Sequence, residues 1–504
     1  MQIRNVLQYL ENTVKRVPGK TAYEDGEGRS LTFAEVYEKS RAAGSFLARE
    51  GVYGEPVVIF MEKTPDQVAA FFGTVYGGCY YVPIDEEMPK LRTDLIIGTL
   101  KPKIMICDES TAGKAEEFDF DGRIVLWSEI SKTPEDEAAL TRIRDRQIDT
   151  DPIYIVFTSG STGVPKGVIA CHRSVIDYIE NLSEVMGFNE DTVFGNQSPF
   201  YFDACLKELY PTIKFGAKTV IVPKQLFMFP LKLVEFLNEK KINTVCWVVS
   251  ALTMISAFGV FDEVKPEYLK TVAFGSEVFP IKQFRIWRRA MPDTVFTNLY
   301  GPTEATGMSC WYRVDRDFEE GQSIPIGRPF NNTEIILLDD KDRRADEGEI
   351  CIRGTAVTLG YYNNPEKTRE SFVQNPLNDK YPEIIYRTGD IGRYNERGEL
   401  EFISRKDYQI KHLGHRIELG EIEANVSTVD GIKSCCAVYY KEKDKICLYY
   451  VGDIEKADLS KTLKGMLPRY MLPTVITQLD MMPLTPNGKI NRKYLGDKAS
   501  GKAE

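Results

Sequence analysis

The stretch Thr158-Ser-Gly-Ser-Thr-Gly163 follows the apolar run 154–157 and is succeeded by a single basic residue, Lys166. It has almost no side chain to bury. Its backbone N–H groups and hydroxyls can turn toward one anion, and the glycines at 160, 163 and 167 permit the positive φ or close approach of an anion nest. The chemistry this spacing serves is phosphate binding. A plain polar turn seldom needs TSGSTG together with a lysine, and a Walker A loop is excluded by order, because Lys166 precedes Gly167 where that motif requires Ser or Thr. Two later stretches carry polar groups at turns. Asp390 in Thr-Gly-Asp fits an Asx-type turn when taken alone, and Lys489 follows an Asn-Gly pair that reads as an exposed turn.

The elements that must hold these residues alternate between two periods over the first 300 residues, as expected of an α/β chain. Thr32 with Glu35 is a capping box that opens a helix closed by Gly51, and PVVIFME then reads as a buried strand. PDQVAAFFGTVYGG is helical, YYVPID a short strand, KLRTDLIIGTL helical and KIMICDE a strand. After the phosphate loop, KTVIVP, NTVCWVV and LKTVAFGSE are continuous apolar strands separated by the helical spacings of LKLVEFLNEK and IKQFRIWRRA. From about Ile324 the texture becomes short strands punctuated by glycine, GEICIRG and GELEFIS among them, in the manner of an antiparallel barrel. The expected fold is α/β: a large N-terminal domain, 1–404, of two helix-covered parallel sheets plus a distorted β-barrel, and a small mobile α+β C-terminal domain, 408–504, joined by a hinge at 405–407.

Composition narrows the partners. At 504 residues and 43% hydrophobic content the chain is long enough for more than one core. A net charge of −10 argues against binding duplex nucleic acid or an anionic membrane, so no nucleic-acid and no membrane partner is expected. The N-terminal 17 residues are an amphipathic helix pattern without a signal-peptide core, and the expected location is cytoplasmic. Ten scattered cysteines read as reduced, packed thiols, and His172, His412 and His415 cannot assemble a usual zinc site.

Five stretches in order, the phosphate loop, YGPTEAT at 300–306, YRTGD at 386–390, SRKDYQIKHLGHRIELGEIE at 404–423 and PLTPNGKINRK at 483–493, resemble the core motifs of the adenylate-forming superfamily. RIELGEIE is similar to its amino-acid-activating branch, the stand-alone adenylation enzymes of nonribosomal peptide synthesis. The resemblance implies two steps: a carboxylate attacks the α-phosphate of ATP to give acyl-AMP and pyrophosphate, and a thiol then takes the acyl group. It further implies that Thr158, Ser159, Gly160, Ser161, Thr162, Gly163 and Lys166 cradle the outer phosphates, that Thr303 touches the α-phosphate and that Glu304 helps hold Mg²⁺. Gly275, Ser276, Glu277, Asn298, Leu299 and Tyr300 would surround the nucleotide, Tyr300 offering its ring to adenine, while Asp390 and Arg405 would hold the ribose. Lys489 would bridge the attacking carboxylate and the α-phosphate, on a small domain swinging about Asp407. Lys411 and Gly414 would face the tunnel of the thiol substrate.

The same resemblance places Asp203 against a substrate α-ammonium, with Ala204, Lys207, Cys246, Ala273, Gly275, Leu299, Gly307 and Met308 as pocket walls. A lone buried carboxylate is costly, so a cationic ligand accounts for Asp203, as would an internal Lys or Arg. Lys207 either reads a side-chain carboxylate, making the substrate acidic, or points outward from a helix start. The sequence shows no carrier segment, so the expected partner is a separate carrier protein with a phosphopantetheine arm. The alternatives are a D-alanine–D-alanyl carrier protein ligase, although that pocket usually has a cysteine at Gly275 and a leucine at Ala204, an acyl-CoA synthetase, or a non-catalytic nucleotide-binding protein.

Overall fold

The capping box forms as the spacing requires: Thr32 Oγ1 accepts the Glu35 N–H at 3.2 Å, and the Glu35 carboxylate accepts the Thr32 N–H at 2.8 Å. The helix it opens, Phe33–Arg49, lays Val36, Ala43 and Leu47 on the core and packs against the helix Pro65–Tyr76. The computed structural model describes residues 3–160, 163–406, 409–484 and 490–501. Ser161, Thr162, Asp407, Tyr408 and Lys489 lie outside the described residues.

Among the described residues the strands form five sheets. The largest runs Arg328–Pro329, Cys310–Arg313, Val295–Tyr300, Thr271–Gly275, Thr244–Val248, Val193–Asn196, Lys218–Ile221, Thr21–Asp25, Ser30–Thr32. From Val295–Tyr300 to Thr21–Asp25 its neighbours are parallel, which explains the unbroken apolar runs, since helices cover both faces. Its edges are antiparallel. A second sheet orders Arg123–Leu126, Ile104–Cys107, Pro56–Phe60, Tyr80–Pro83 and Pro152–Thr158 in parallel, with Lys166–Cys171 antiparallel at the end. The strands on either side of the expected phosphate loop are thus antiparallel partners, with Thr158 opposite Lys166. The Gly-punctuated region forms an antiparallel five-stranded sheet including Glu347–Gly354, Ile384–Tyr394 and Leu400–Arg405.

Beyond Gln409 come the hairpin Gln409–His412/His415–Glu418 and a three-stranded sheet flanked by the helices Leu419–Ser427 and Arg492–Ala499. Two apolar clusters, one around Ile417, Leu448 and Leu463 and one around Cys436, Tyr449 and Leu495, draw only on residues after 409. All ten cysteines are buried and free. No helix among the described residues is long and apolar enough to cross a membrane.

Candidate active site

The parallel strands Pro152–Thr158, Thr244–Val248, Thr271–Gly275 and Val295–Tyr300 present their carboxyl ends to one cavity, where an open α/β sheet ordinarily places a ligand. Thr158, Ser159, Val248, Ser276, Thr303 and Met308 line it from these ends. Close approach dictates the glycines. A Cβ on Gly160 would stand 2.0 Å from the Val164 carbonyl oxygen, and one on Gly275 would stand 2.2 Å from that of Leu299. Ser276, which lines the cavity, and the buried Thr306 take left-handed φ of 67° and 54°, a strained backbone held by its surroundings.

Where the sequence places the phosphates, Thr158 Oγ1 is buried without a hydrogen-bond partner among the described residues. Lys166 Nζ lies 5.2 Å from the Tyr361 ring centroid, and burial lowers its pKa, with Arg416 adding repulsion. The Tyr361 hydroxyl donates to Glu304 Oε1 at 2.7 Å and Arg416 Nη1 donates to Glu304 Oε2 at 2.7 Å. Glu304 has no exposed surface. Burial would raise its pKa, but Arg416 and Lys166 outweigh that and hold it below the ordinary carboxylate value.

Asp390 and Arg405 are register partners on adjacent strands and form a close ion pair, and the Tyr300 hydroxyl donates to the other oxygen of Asp390 at 2.5 Å. Asp390 and Arg405 line the cavity while Tyr300 is buried behind them. A carboxylate has about four lone-pair sites, so two acceptor positions remain for hydroxyls of a ligand. Asn298 is engaged differently: its side-chain amide donates to the carbonyl oxygens of Ile324 and Pro325 at 3.3 and 2.9 Å. Glu277 accepts the N–H of Gly414 and of Ser250, each at 2.8 Å, so it reaches the hairpin rather than the cavity lining.

The wall expected to face the acid is built on the turn Asp203–Cys205 and the helix Leu206–Phe215. Asp203 and Ala204 face the cavity, together with Gly307 and Met308. Burial raises the Asp203 pKa against the opposing attraction of Lys207 and a hydrogen bond with Thr303. Lys207 is 5% exposed, so the outward orientation is ruled out. Beside it, Glu208 is fully buried, and burial pushes its carboxyl up to about 8 despite attraction to Lys207. Lys207, Cys246, Ala273, Gly275 and Leu299, expected as pocket walls, do not reach the cavity lining; Cys246, Ala273 and Leu299 are buried with Met308 in the core beneath.

The hairpin Gln409–His412/His415–Glu418 closes the cavity from above. Its tip turns through Leu413 and Gly414 at φ 51° and 79°, both positive as a type I′ turn requires. Lys411 Nζ sits 5.7 Å from the Tyr300 ring centroid, its pKa lowered by burial. Gly414 faces Val248, where a Cβ would meet Cγ1 at 2.6 Å. The structure adds lining residues not singled out from the sequence: Phe202, Val248, His415, Arg416 and Tyr470. His415 stacks on Tyr470 at 3.7 Å between centroids. His415 and Arg416 lay within the quoted run at 404–423, whereas nothing in the sequence pointed to Tyr470, which only tertiary packing brings near.

The comparisons agree with this geometry. A family model described as AMP-binding enzyme matches residues 10–362. The chain is 32% identical over 504 residues to surfactin synthase subunit 1 of Bacillus subtilis (strain 168), covering 98% of this chain and 14% of that protein, a small fraction of the relative's length. It is 31% identical over 508 residues to zwittermicin A synthase ZmaJ of Bacillus cereus, covering 97% and 94%. Among solved structures, the Vibrio cholerae adenylation domain AlmE, in complex with glycyl-adenosine-5′-phosphate, superposes with a TM-score of 0.84 at 19% identity, covering 99% of each chain. PA1221, an NRPS protein containing adenylation and PCP domains, superposes with a TM-score of 0.81 at 23% identity, covering 97% of this chain and 84% of that one in the form bound to a vinylsulfonamide inhibitor. With a family model spanning most of the chain and a relative matched along nearly its whole length, this protein belongs to the AMP-binding enzyme family, the adenylate-forming superfamily its motifs resemble.

Proposed function

We propose that the chain activates an amino acid with ATP and passes the aminoacyl group to the phosphopantetheine thiol of a carrier protein. The observation that carries this reading is Asp203, a carboxylate on the cavity wall tied to Thr303 and attracted by the buried Lys207. A substrate α-ammonium satisfies Asp203. The amino acid's own carboxylate oxygen then attacks the α-phosphorus of ATP as the bond to pyrophosphate breaks. In the second step the thiol sulfur bonds the acyl carbon, the C–O bond to AMP breaks, and the thiol proton passes to solvent. Both steps gather negative charge, and the chain's part is to position and neutralise it.

Lys166 and the loop 158–163 would take the outer phosphates, Thr303 the α-phosphate, Asp390 and Arg405 the ribose, and Lys489 the attacking carboxylate. Gly275, Ser276, Asn298, Leu299 and Tyr300 would border the nucleotide. Glu304 fits Mg²⁺, being a hard oxygen donor held ionised in a buried site, and the ion, when bound, neutralises phosphate charge. The small unit 408–504 would turn about 405–407, bringing Lys489 in for the first step and Lys411 with Gly414 for the second. An acidic side chain would suit a pocket with Lys207 near it, since burial pushes the neighbouring Glu208 carboxyl up to about 8 and so weakens its hold on that charge. A carrier partner finds support in PA1221, whose chain joins adenylation and PCP domains, and an amino-acid substrate in the aminoacyl adenylate held by AlmE.

ATP–pyrophosphate exchange over a panel of L- and D-amino acids tests the reading. Exchange with Glu or Asp foremost is expected. Exchange with D-alanine would select the D-alanyl ligase form, and exchange with only a fatty or aryl acid would overturn the amino-acid reading.

A further inference from the structure

Tyr178, on the helix His172–Met186, is 2% exposed, and its hydroxyl is buried without a hydrogen-bond partner among the described residues. A donor in that position has given up its hydration and gained no acceptor in return, so it calls for one brought by a ligand. The wall in front of it is one residue thick. Gly307 lines the cavity at φ 96°, and a Cβ there would touch the Tyr178 hydroxyl, Cζ and Cε1 at 3.4 Å, so a longer side chain at 307 would lie across the hydroxyl. With glycine, only backbone stands there. Met308, the next lining residue, belongs to the same apolar cluster as Tyr178, and its unbranched side chain is of the kind that yields to an incoming group.

The groups around the hydroxyl limit what that incoming group is. Burial first, then Asp203, Cys246 and Glu208, raise the Tyr178 pKa, so the hydroxyl stays protonated and acts as a donor in their neighbourhood. Lys207 is 5% exposed and forms no close ion pair among the described residues, although Asp203 and Glu208 both attract it. A neutral amide could accept from the hydroxyl but would leave the Lys207 cation without a counter-charge. An aliphatic side chain would satisfy neither. A carboxylate does both, accepting from a neutral O–H through one lone pair and pairing with an ammonium through another.

We propose that Tyr178 is a specificity-determining residue whose hydroxyl donates to the side-chain carboxylate of an acidic amino acid, beside the ammonium of Lys207. The inference rests on the adenylation reading with its acidic substrate, and adds to it a second, uncharged donor carried by a different helix. A tyrosine that merely fills the core would be indifferent to the charge of the substrate.

Tyr178→Phe keeps the ring and removes only the hydroxyl, and pyrophosphate exchange with glutamate, aspartate, glutamine and leucine reads the effect. KM for the favoured acidic amino acid should rise about tenfold with kcat altered much less, as expected for the loss of one hydrogen bond to a charged group, and the acidic-to-neutral ratio of kcat/KM should fall by a similar factor. Combined with Lys207→Met, the two losses should fall short of multiplying, because both donors hold one carboxylate. Losses that multiply in full, an acidic-to-neutral ratio unchanged in Tyr178→Phe, or a KM raised equally for every amino acid would each overturn the inference, the last by assigning the hydroxyl to Asp203 or to the fold. Wild-type exchange that favours neutral amino acids would also overturn it while leaving the adenylation reading standing, whereas no exchange with any amino acid would overturn both. If Tyr178→Phe does not fold, the wild type still decides, since equal kcat/KM for glutamate and glutamine defeats the proposal.

Discussion

Asp203, half-buried on the turn Asp203–Cys205, and Lys207, buried in the first turn of the helix that follows, attract one another. Asp203→Ala removes one partner of a desolvated pair and should weaken amino-acid binding by roughly 2–5 kcal/mol with ATP affinity little changed, as calorimetry on the two ligands would show. Lys207→Met should erase a preference for acidic over neutral amino acids in pyrophosphate exchange, since specificity is a difference of two affinities. An unaltered ranking would refute the acidic-side-chain assignment. At this scale the sequence was legible where short motifs bring residues to one cavity, as with Thr158, Thr303 and Asp390, which all line it. It was least so for Glu277, whose carboxylate meets a backbone N–H of a hairpin tip 137 residues away.

At the scale of elements, the hairpin Gln409–His412/His415–Glu418 decides what the cavity contains. Gly414 combines a φ of 79° with a van der Waals gap that admits no Cβ beside Val248. Gly414→Ala should therefore disfavour the docked hairpin by roughly 1–2 kcal/mol from backbone strain alone, and more if Val248 cannot yield. The expected outcome is a thiol-transfer rate at least about tenfold lower, with amino-acid-dependent pyrophosphate exchange retained. Equal losses in both assays would place Gly414 in folding and not in the second step. The helices and parallel strands were readable because their apolar periods are local. The return strand Lys166–Cys171 was not, since it pairs antiparallel with Pro152–Thr158 at a sheet edge and carries no pattern that distinguishes it from loop.

For the molecule as a whole, His172 ties the N-terminal segment to the phosphate-loop sheet. It is fully buried, its Nδ1 accepts the Val6 N–H at 3.2 Å, and burial lowers its pKa from 6.5 to about 3. Between those values the unfolded chain binds a proton at this site that the folded chain refuses. Stability therefore rises with pH across this window and falls on acidification below about pH 6.5, at up to about 1.4 kcal/mol per pH unit for this one group. Urea midpoints measured from about pH 7.5 to about pH 4.5 should decline accordingly, and His172→Gln should flatten that slope. A slope identical in the variant would assign the acid sensitivity to other groups.

Local features were legible in the sequence alone: the close-approach glycine of the loop at 160, the capped helix from Thr32 and Glu35, the alternation of buried strands and helices from their periods, and the family that the motifs resemble. These features depend on residues a few positions apart, where sterics and hydrogen bonding act without knowledge of the rest of the chain. What only the tertiary structure decided is which charges meet. Glu304 with Arg416, Glu421 with Arg92 and the Gly160 N–H, and Lys207 beside Glu208 inside rather than outside the protein all depend on burial. Burial turns an ordinary surface charge into one that must find a partner, and three of these four partners lie more than a hundred residues away along the chain.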